Sequence, residues 1–202
     1  MIISNIIFDK KKFIISFDND EEIKISEDTL VNFGLYKGQE VEEEFVENLK
    51  FEDEKTEALL LSYKFLQRNK TKKQLVDYLY KNKIQREIID NILPTLEEKK
   101  YLNDEDYARR YLNDALNIRK YGKNKTRYML MSKGIEKNVI DKVMENYDYE
   151  LEYMNALELL EKRISKDESD PKKVYSAKNY LQGRGFEFEI INFTVDDYLN
   201  GE

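Results

Sequence analysis

The carboxylates and one glycine-rich run are the residues of this sequence whose types and spacing could support chemistry. Asp104 and Asp106 stand two residues apart at the start of a predicted helix. They therefore point to different faces and suit helix capping better than paired acid–base catalysis or metal binding. The acidic run Glu42–Glu44 is typical of a solvated helix face. The run Gly183–Phe186 lacks the pattern of a phosphate-binding loop and the strand that should precede one.

The composition removes further kinds of chemistry. The 202 residues include no Cys and no His, which excludes thiol nucleophiles, disulfides, Cys/His zinc sites and imidazole catalysis. No apolar run approaches the roughly 20 residues that span a bilayer. The first residues also lack the basic region and cleavage site of a signal peptide. We therefore expect a cytoplasmic protein that is not an enzyme, with no cofactor, no metal and no membrane contact.

Charge is the remaining chemical signal, and its distribution is uneven. The formal net charge is −7, and residues 18–57 alone hold 15 acidic and 4 basic side chains. Residues 62–90 and 109–142 are basic, whereas residues 145–170 are acidic again. A chain of this kind can contact a polyanion locally while it remains acidic overall.

A repeated apolar pattern predicts the elements that position these charges. When the sequence is shifted by 51 residues, six apolar or aromatic positions of the stretch 79–96 fall on apolar or aromatic residues in two later copies. The matched residues are Leu79, Leu130 and Leu181; Ile84, Ile135 and Phe186; Ile88, Val139 and Ile190; Ile89, Ile140 and Ile191; Leu93, Met144 and Val195; and Leu96, Tyr147 and Tyr198. A constant period over three copies indicates a repeat architecture.

The spacing inside each copy predicts helices. Apolar residues from Ile84 to Leu96 follow one helical stripe, and Leu79 belongs to a preceding helix. Lys83, Gly134 and Gly185 share one position of the repeat, between these two helices, where a left-handed residue is expected. Each copy is therefore predicted to be a three-helix unit.

The first 50 residues have a different pattern. Alternating apolar residues in three short runs predict a small antiparallel meander, covered by a helix that Ser26 caps. We expect a further acidic helix over Glu40–Leu49 and a separate helix over Ala58–Gln67 that opens the first repeat. The predicted fold is mainly α, with three tandem three-helix repeats that form an elongated, curved body behind this β-containing extension. The predicted domains are residues 1–50 for the acidic extension, 53–101 for repeat 1, 102–149 for repeat 2 and 150–202 for repeat 3.

Several separated motifs of the second and third copies match those of one known protein family, in the expected order. Asp104 followed by Tyr107–Ala108 resembles the acidic helix start and aromatic–Ala pair of that family's central repeat. Arg119, Gly122 and Lys133–Ile135 resemble the motifs that follow it. Arg184 to Phe186, with Ile190, matches the Arg-Gly-Phe joint of the third repeat, and Lys83 departs from the glycine pattern. By these motifs the chain resembles the RecX family, the regulatory proteins of the RecA recombinase, and the resemblance covers residues of about 55–199.

The resemblance implies binding rather than turnover. Members of the family lie along the groove of the RecA–single-stranded-DNA filament, mostly limit its growth, and damp ATP hydrolysis, strand exchange and coprotease activity. It therefore implies a monomer that acts in homologous recombination, DNA repair and the SOS response, with RecA as partner. Single-stranded DNA would be contacted weakly or within the filament.

Basic residues near helix starts and joints are the candidates for contact with RecA or DNA. They are Arg68, Lys72, Lys73, Arg109, Arg110, Arg119, Lys123, Lys125, Arg127 and Arg184. Tyr121 and Tyr128 could stack on bases, whereas Tyr111 fits the core better. The alternative is an autonomous helical-repeat DNA-binding module. The acidic net charge argues against it, because isolated nucleic-acid binders usually carry a basic excess.

Overall fold

The computed structural model describes residues 1–201, and within this range the chain is mainly helical. The strands are β1 (Ile3–Asp9), β2 (Lys12–Phe17) and β3 (Glu22–Ile25). The helices are α1 (Glu27–Asn32), α2 (Glu43–Leu66), α3 (Lys72–Lys81), α4 (Arg86–Glu98), α5 (Asp104–Asn117), α6 (Lys123–Ser132), α7 (Lys137–Met144), α8 (Tyr149–Glu161), α9 (Pro171–Gly183) and α10 (Phe188–Asn200). The predicted mainly-α class with a small N-terminal meander is confirmed.

The chain divides into two compact units. The first comprises Met1–Arg68 and Leu75–Leu102, and the second comprises Asn69–Gln74 and the chain from Asn103 onward. The first unit contains the sheet, in the order β1-β2-β3 with antiparallel pairing throughout.

The sheet has one buried face because alternate residues of its strands are apolar. Ile15 pairs with Ile23, and both are buried with Ile25 in a cluster that includes Val46 and Leu49 of α2. A three-stranded meander needs such a helical cover to be stable in water.

A carboxylate of α2 also holds α1 in place. Asp53 Oδ1 accepts hydrogen bonds from Ser26 N (2.8 Å), Ser26 Oγ (2.7 Å) and Thr29 Oγ1 (2.7 Å). Burial raises the pKa of Asp53, but these hydrogen bonds and the Lys12 ammonium at 3.6 Å outweigh it and leave the pKa below its ordinary value.

The prediction of separate helices over Glu40–Leu49 and Ala58–Gln67 is wrong, because α2 runs without interruption from Glu43 to Leu66. The intervening residues contain neither Gly nor Pro, so the apolar pattern breaks while the backbone does not. Val46 and Leu49 at its start pack on the sheet, and Ala58 further along packs in the next buried cluster. One helix thus serves both the extension and the first repeat, and the proposed domain boundaries remain a prediction.

The helices after the meander form three triplets, α2–α4, α5–α7 and α8–α10, each with its own buried cluster. All of the matched repeat residues are buried except Val139 and Ile190, which are partly buried against the same clusters. Lys83, Gly134 and Gly185 have φ of 63°, 81° and 89°. The shared left-handed position is therefore confirmed.

One part of the helical stripe lies outside its helix. Ile84 comes directly before Gln85, the N-cap of α4, and is buried with Ile89. Ile135 and Phe186 have the same place before α7 and α10. An apolar residue before the N-cap that pairs with the fourth helical residue fixes the angle at which the chain enters a helix.

Candidate partner-binding site

The site is built on the start of α6 and the joint between α9 and α10, inside the second unit. Gly122 N donates to Arg184 O (3.0 Å), and Asn124 N donates to Gly185 O (2.9 Å). Lys123 N donates to Glu152 Oε1 (2.8 Å). The amides at the start of a helix have no partner within the helix, so these contacts satisfy donors that would otherwise need water.

Glycine makes this contact possible. A Cβ atom at Gly122 would collide with the backbone of Gly185 and Phe186, and a Cβ atom at Gly185 would collide with Lys125. Gly185 is therefore required by the close approach as well as by its positive φ. The sequence pattern indicates the positive φ but not the close approach.

Equivalent contacts join the segment Asn69–Gln74 of the second unit to the start of α5 and to the joint between α6 and α7. Thr71 Oγ1 donates to Lys133 O (2.8 Å), and Lys72 N donates to Asp104 Oδ1 (2.8 Å). A Cβ atom at Gly134 would collide with the Lys73 side chain. The 51-residue period relates Thr71 to Gly122 and Lys133 to Arg184. The repetition therefore includes the polar contacts at the joints and not only the apolar core.

Two of the predicted contact residues enclose Tyr121. Arg184 donates from Nη2 to Arg119 O and to Lys120 O (3.3 Å), and its Cζ lies 4.9 Å from the centre of the Tyr121 ring. Lys125 Nζ lies 4.6 Å from the same ring and donates to Gly183 O (3.3 Å). Both cations stabilise contacts within the unit, and the Tyr121 ring is already covered.

Lys123 and Arg127 also have partners within the unit. Lys123 Nζ lies 3.0 Å from the Tyr149 hydroxyl and 3.5 Å from Glu187 Oε2, and these two groups raise the pKa of Lys123. Arg127 Nη1 lies 2.6 Å from Asp141 Oδ1.

The remaining candidates are near the surface. Arg109 Nη2 lies 2.7 Å from Glu105, and Arg110 Nε lies 2.9 Å from Asp106. Arg68, just after α2, and Lys73, in the first turn of α3, are exposed. Lys72 is half-buried at the start of α3. The ten predicted residues therefore do not form one uniform cationic surface.

An open cavity of about 260 Å³ lies beside α5 and the end of α6. Its lining includes Tyr107 and Tyr111, whose rings stack with centroids 6.4 Å apart. Lys133 Nζ lies 6.0 Å from the Tyr107 centroid and 5.9 Å from the Tyr111 centroid, and Arg119 Cζ lies 5.9 Å from the latter. Arg119 is one of the ten predicted contact residues, whereas Lys133 is not among them. The 51-residue match of Lys133 to Arg184 is the signal that could have found it.

Burial alters the acid–base properties of Tyr111. Its side chain is 8% exposed, and its hydroxyl has no hydrogen-bond partner within residues 1–201. Burial is the main reason why the pKa of this phenol is raised. The hydroxyl therefore stays protonated and remains a donor.

A buried carboxyl group lies on α8. Glu152 is fully buried, and burial raises the pKa of its carboxyl although Lys123 N donates to it. Burial and the adjacent Glu152 raise the pKa of the Tyr147 phenol as well. Glu158, further along α8, is half-buried and differs, because the hydrogen bonds from Lys120 and Lys162 lower its pKa to about 2.

Tandem three-helix units behind a small meander define a helical-repeat protein, and comparison with known proteins identifies its family. A model of the second three-helix domain of RecX matches residues 103–144, and a model of the third matches residues 150–195. Regulatory protein RecX of Clostridium botulinum strain Alaska E43 is 31% identical over 96% of this chain and 92% of that protein. The chain belongs to the RecX family of regulatory proteins.

Other comparisons agree with this membership. Regulatory protein RecX of Bacillus subtilis strain 168 is 27% identical over 95% of this chain and 75% of that protein. A crystal structure of regulatory protein RecX has a TM-score of 0.75 at 22% identity and covers 96% of this chain and 98% of that one. RecX from Lactobacillus salivarius has a TM-score of 0.68 at 23% identity over 72% of this chain and 97% of that one. Both structural matches support the fold.

Residues 1–201 contain no helix that combines the length and the apolar character needed to span a membrane.

Proposed function

We propose that this chain is a cytoplasmic, monomeric regulator of the RecA recombinase. It binds in the groove of the RecA–single-stranded-DNA filament and limits filament growth, and so lowers ATP hydrolysis, strand exchange and coprotease activity. The observation that carries the proposal is the 31% identity to a regulatory protein RecX over nearly the full length of both chains. It acts in homologous recombination, DNA repair and the SOS response.

The distribution of contacts supports binding to a protein surface rather than to DNA alone. Several cations of α5 and α6 are neutralised by carboxylates of the same unit, as in Arg109–Glu105 and Arg127–Asp141. Affinity for DNA depends on the number of phosphates that free cations neutralise. We therefore expect weak, salt-sensitive binding to DNA in the absence of RecA.

The test is the DNA-dependent ATPase activity of RecA in the presence of this protein. Reversal of Arg119, Lys123 and Arg127 together is the variant that the sequence suggests. Lys123 and Arg127 have internal partners, so their reversal also removes contacts within the unit. Arg119→Glu alone is the cleaner variant. We expect the wild-type protein to lower the ATPase rate and Arg119→Glu to lower it less.

Lys137→Glu is the matched control, because Lys137 is exposed at the start of α7 in the same unit and is not among the predicted contact residues. Circular dichroism should show equal helicity for all three proteins. An unchanged ATPase rate with wild-type protein, at concentrations that saturate filaments, would contradict the proposed function. Tight DNA binding at physiological salt without RecA would favour the DNA-binding module instead.

A further inference from the structure

We infer that the cavity between Arg119 and Lys133 binds a carboxylate side chain presented by a protein partner. This inference rests on the proposed function and names the chemistry of one contact. It concerns the cavity lined by Tyr107 and Tyr111, which is hereafter called the tyrosine cavity.

The tyrosine cavity holds more positive charge than its acidic side chains neutralise. Neither Arg119 nor Lys133 forms an ion pair among the residues that the structure describes. Arg110 also lines the cavity but is paired with Asp106. Asp114 contributes one carboxylate to the lining and forms no ion pair in the described part of the chain. The tyrosine cavity therefore has an excess of positive charge that a single carboxylate can neutralise.

Both cations are held in position before any partner arrives. The Lys133 carbonyl accepts from Thr71, and the Arg119 carbonyl accepts from Arg184, so the backbone at each cation is fixed by a neighbouring segment. Their charged groups lie over buried tyrosine rings at about the limit of a cation–π contact. Cations that are ordered in this way lose less side-chain entropy when they bind an anion.

One residue of the lining also has an unused hydrogen-bond donor. The Tyr111 hydroxyl is buried and has no partner within residues 1–201, although Tyr111 lines the cavity. A buried donor without an acceptor costs free energy. The hydroxyl is closed to solvent in the free protein, so a carboxylate oxygen in the tyrosine cavity reaches it only if the Tyr111 side chain moves.

The surroundings favour a protein carboxylate over a nucleic-acid phosphate. A strand of nucleic acid needs a row of free cations, because its affinity grows with the number of phosphates that are neutralised. Near the cavity, Arg109 and Lys142 both pair with Glu105, and Arg110 pairs with Asp106. The carboxylates in this region repel a polyanion more than they repel one acidic side chain. The ring faces are already covered by cations and do not offer a platform for bases.

The first arm of the test measures affinity for RecA–single-stranded-DNA filaments with Arg119→Gln and Lys133→Gln. We expect each variant to bind roughly tenfold more weakly, since a hydrogen bond to a charged group is worth about one factor of ten. Lys137→Gln is the control, because Lys137 is exposed at the start of α7 and its loss changes the net charge equally. It should bind as the wild type does.

The second arm does not require RecA. The full chain, with labelled tyrosine rings, is titrated by NMR with hexaglutamate and separately with a thymidine hexanucleotide at the same salt concentration. We expect hexaglutamate to shift the Tyr107 and Tyr111 signals in the wild type and not in Lys133→Gln, and the hexanucleotide to shift them less.

The outcomes of the two arms separate the inference from the proposed function. If wild-type protein binds filaments and both Gln variants bind equally well, the carboxylate site is wrong and the regulatory function stands. If wild-type protein fails to bind filaments but hexaglutamate shifts the two tyrosines, the function is wrong and the site stands. A stronger response to the hexanucleotide, or no response to either probe, would overturn the carboxylate site.

Discussion

Gly185 combines two constraints that a single substitution can test. Its φ of 89° strains any residue with a Cβ atom, and that atom would also collide with Lys125. We expect Gly185→Ala to lower the free energy of unfolding by roughly 2–5 kcal/mol, because strain and a steric clash add. Urea denaturation followed by circular dichroism measures this loss.

Two other glycines separate these causes. Gly38 has a φ of 92° with open space around it, so Gly38→Ala should show strain alone, about 1–2 kcal/mol. Gly183 lies in α9 with open space around it and no positive φ, so Gly183→Ala should raise stability by up to about 1 kcal/mol. Equal losses for Gly185→Ala and Gly38→Ala would show that the close approach has no energetic importance.

The buried carboxyl of Glu152 predicts a pH dependence. Its pKa is raised in the folded protein, so the folded state binds a proton more tightly than the unfolded state does. The stabilisation from this proton is complete below the unfolded pKa and is lost as pH rises through the folded pKa. Relative to Glu152→Gln, which keeps a hydrogen-bond acceptor for Lys123 N, the wild type should therefore gain stability as pH falls.

Urea denaturation of both proteins between pH 8 and pH 4.5 checks this difference. Other acids titrate in both proteins and cancel in the comparison. Parallel stability curves for the wild type and Glu152→Gln would contradict a raised pKa at Glu152.

At the scale of elements, the joint of the third triplet depends on Arg184. Its guanidinium donates to the carbonyls of Arg119 and Lys120 and covers Tyr121. We expect Arg184→Ala to destabilise the second unit by roughly 1–3 kcal/mol, because two carbonyls lose a charged donor and the Tyr121 ring loses its cover. Hydrogen exchange of the α5–α6 connection should become faster in this variant.

The control for this prediction is Arg110→Ala, since Arg110 makes an exposed pair with Asp106 on α5. Exposed pairs of this kind contribute roughly 0–1 kcal/mol. If both variants lose equally little stability and Arg184→Ala loses filament affinity instead, Arg184 is a partner contact, as the sequence suggests.

The sequence predicts helices and strands well where a single apolar pattern determines them. The period of 51 residues identifies the helical triplets, and the apolar alternation identifies the meander, because burial of one face imposes both patterns. The continuous α2 is not predictable in this way. Its charged middle section interrupts the apolar pattern, while the absence of Gly and Pro lets the helix continue.

The candidate site is less predictable for a different reason. A count of basic residues cannot distinguish Arg184, which donates to carbonyls distant in sequence, from Arg119, whose cation forms no ion pair within residues 1–201. The close approach at Gly185 and the ordering of Lys133 likewise depend on segments about 60 residues away along the chain. Contacts of this kind can be identified only from the three-dimensional structure.

At the scale of the whole molecule, the acidic net charge of −7 limits what the basic segments can do. Repulsion from the acidic segments weakens any contact with free DNA, whereas a RecA filament offers protein surface as well as phosphate. We expect filament binding to persist at a salt concentration that abolishes binding to single-stranded DNA alone. The elongated, curved arrangement of repeats remains a prediction.

Co-sedimentation with RecA–single-stranded-DNA filaments at physiological salt tests the central claim most directly. We predict that the wild-type chain pellets with assembled filaments and stays in the supernatant with DNA alone. We also predict that Lys133→Gln pellets less than Lys137→Gln does. A wild-type chain that stays in the supernatant in the presence of assembled filaments would contradict the claim that this RecX family member binds the RecA filament.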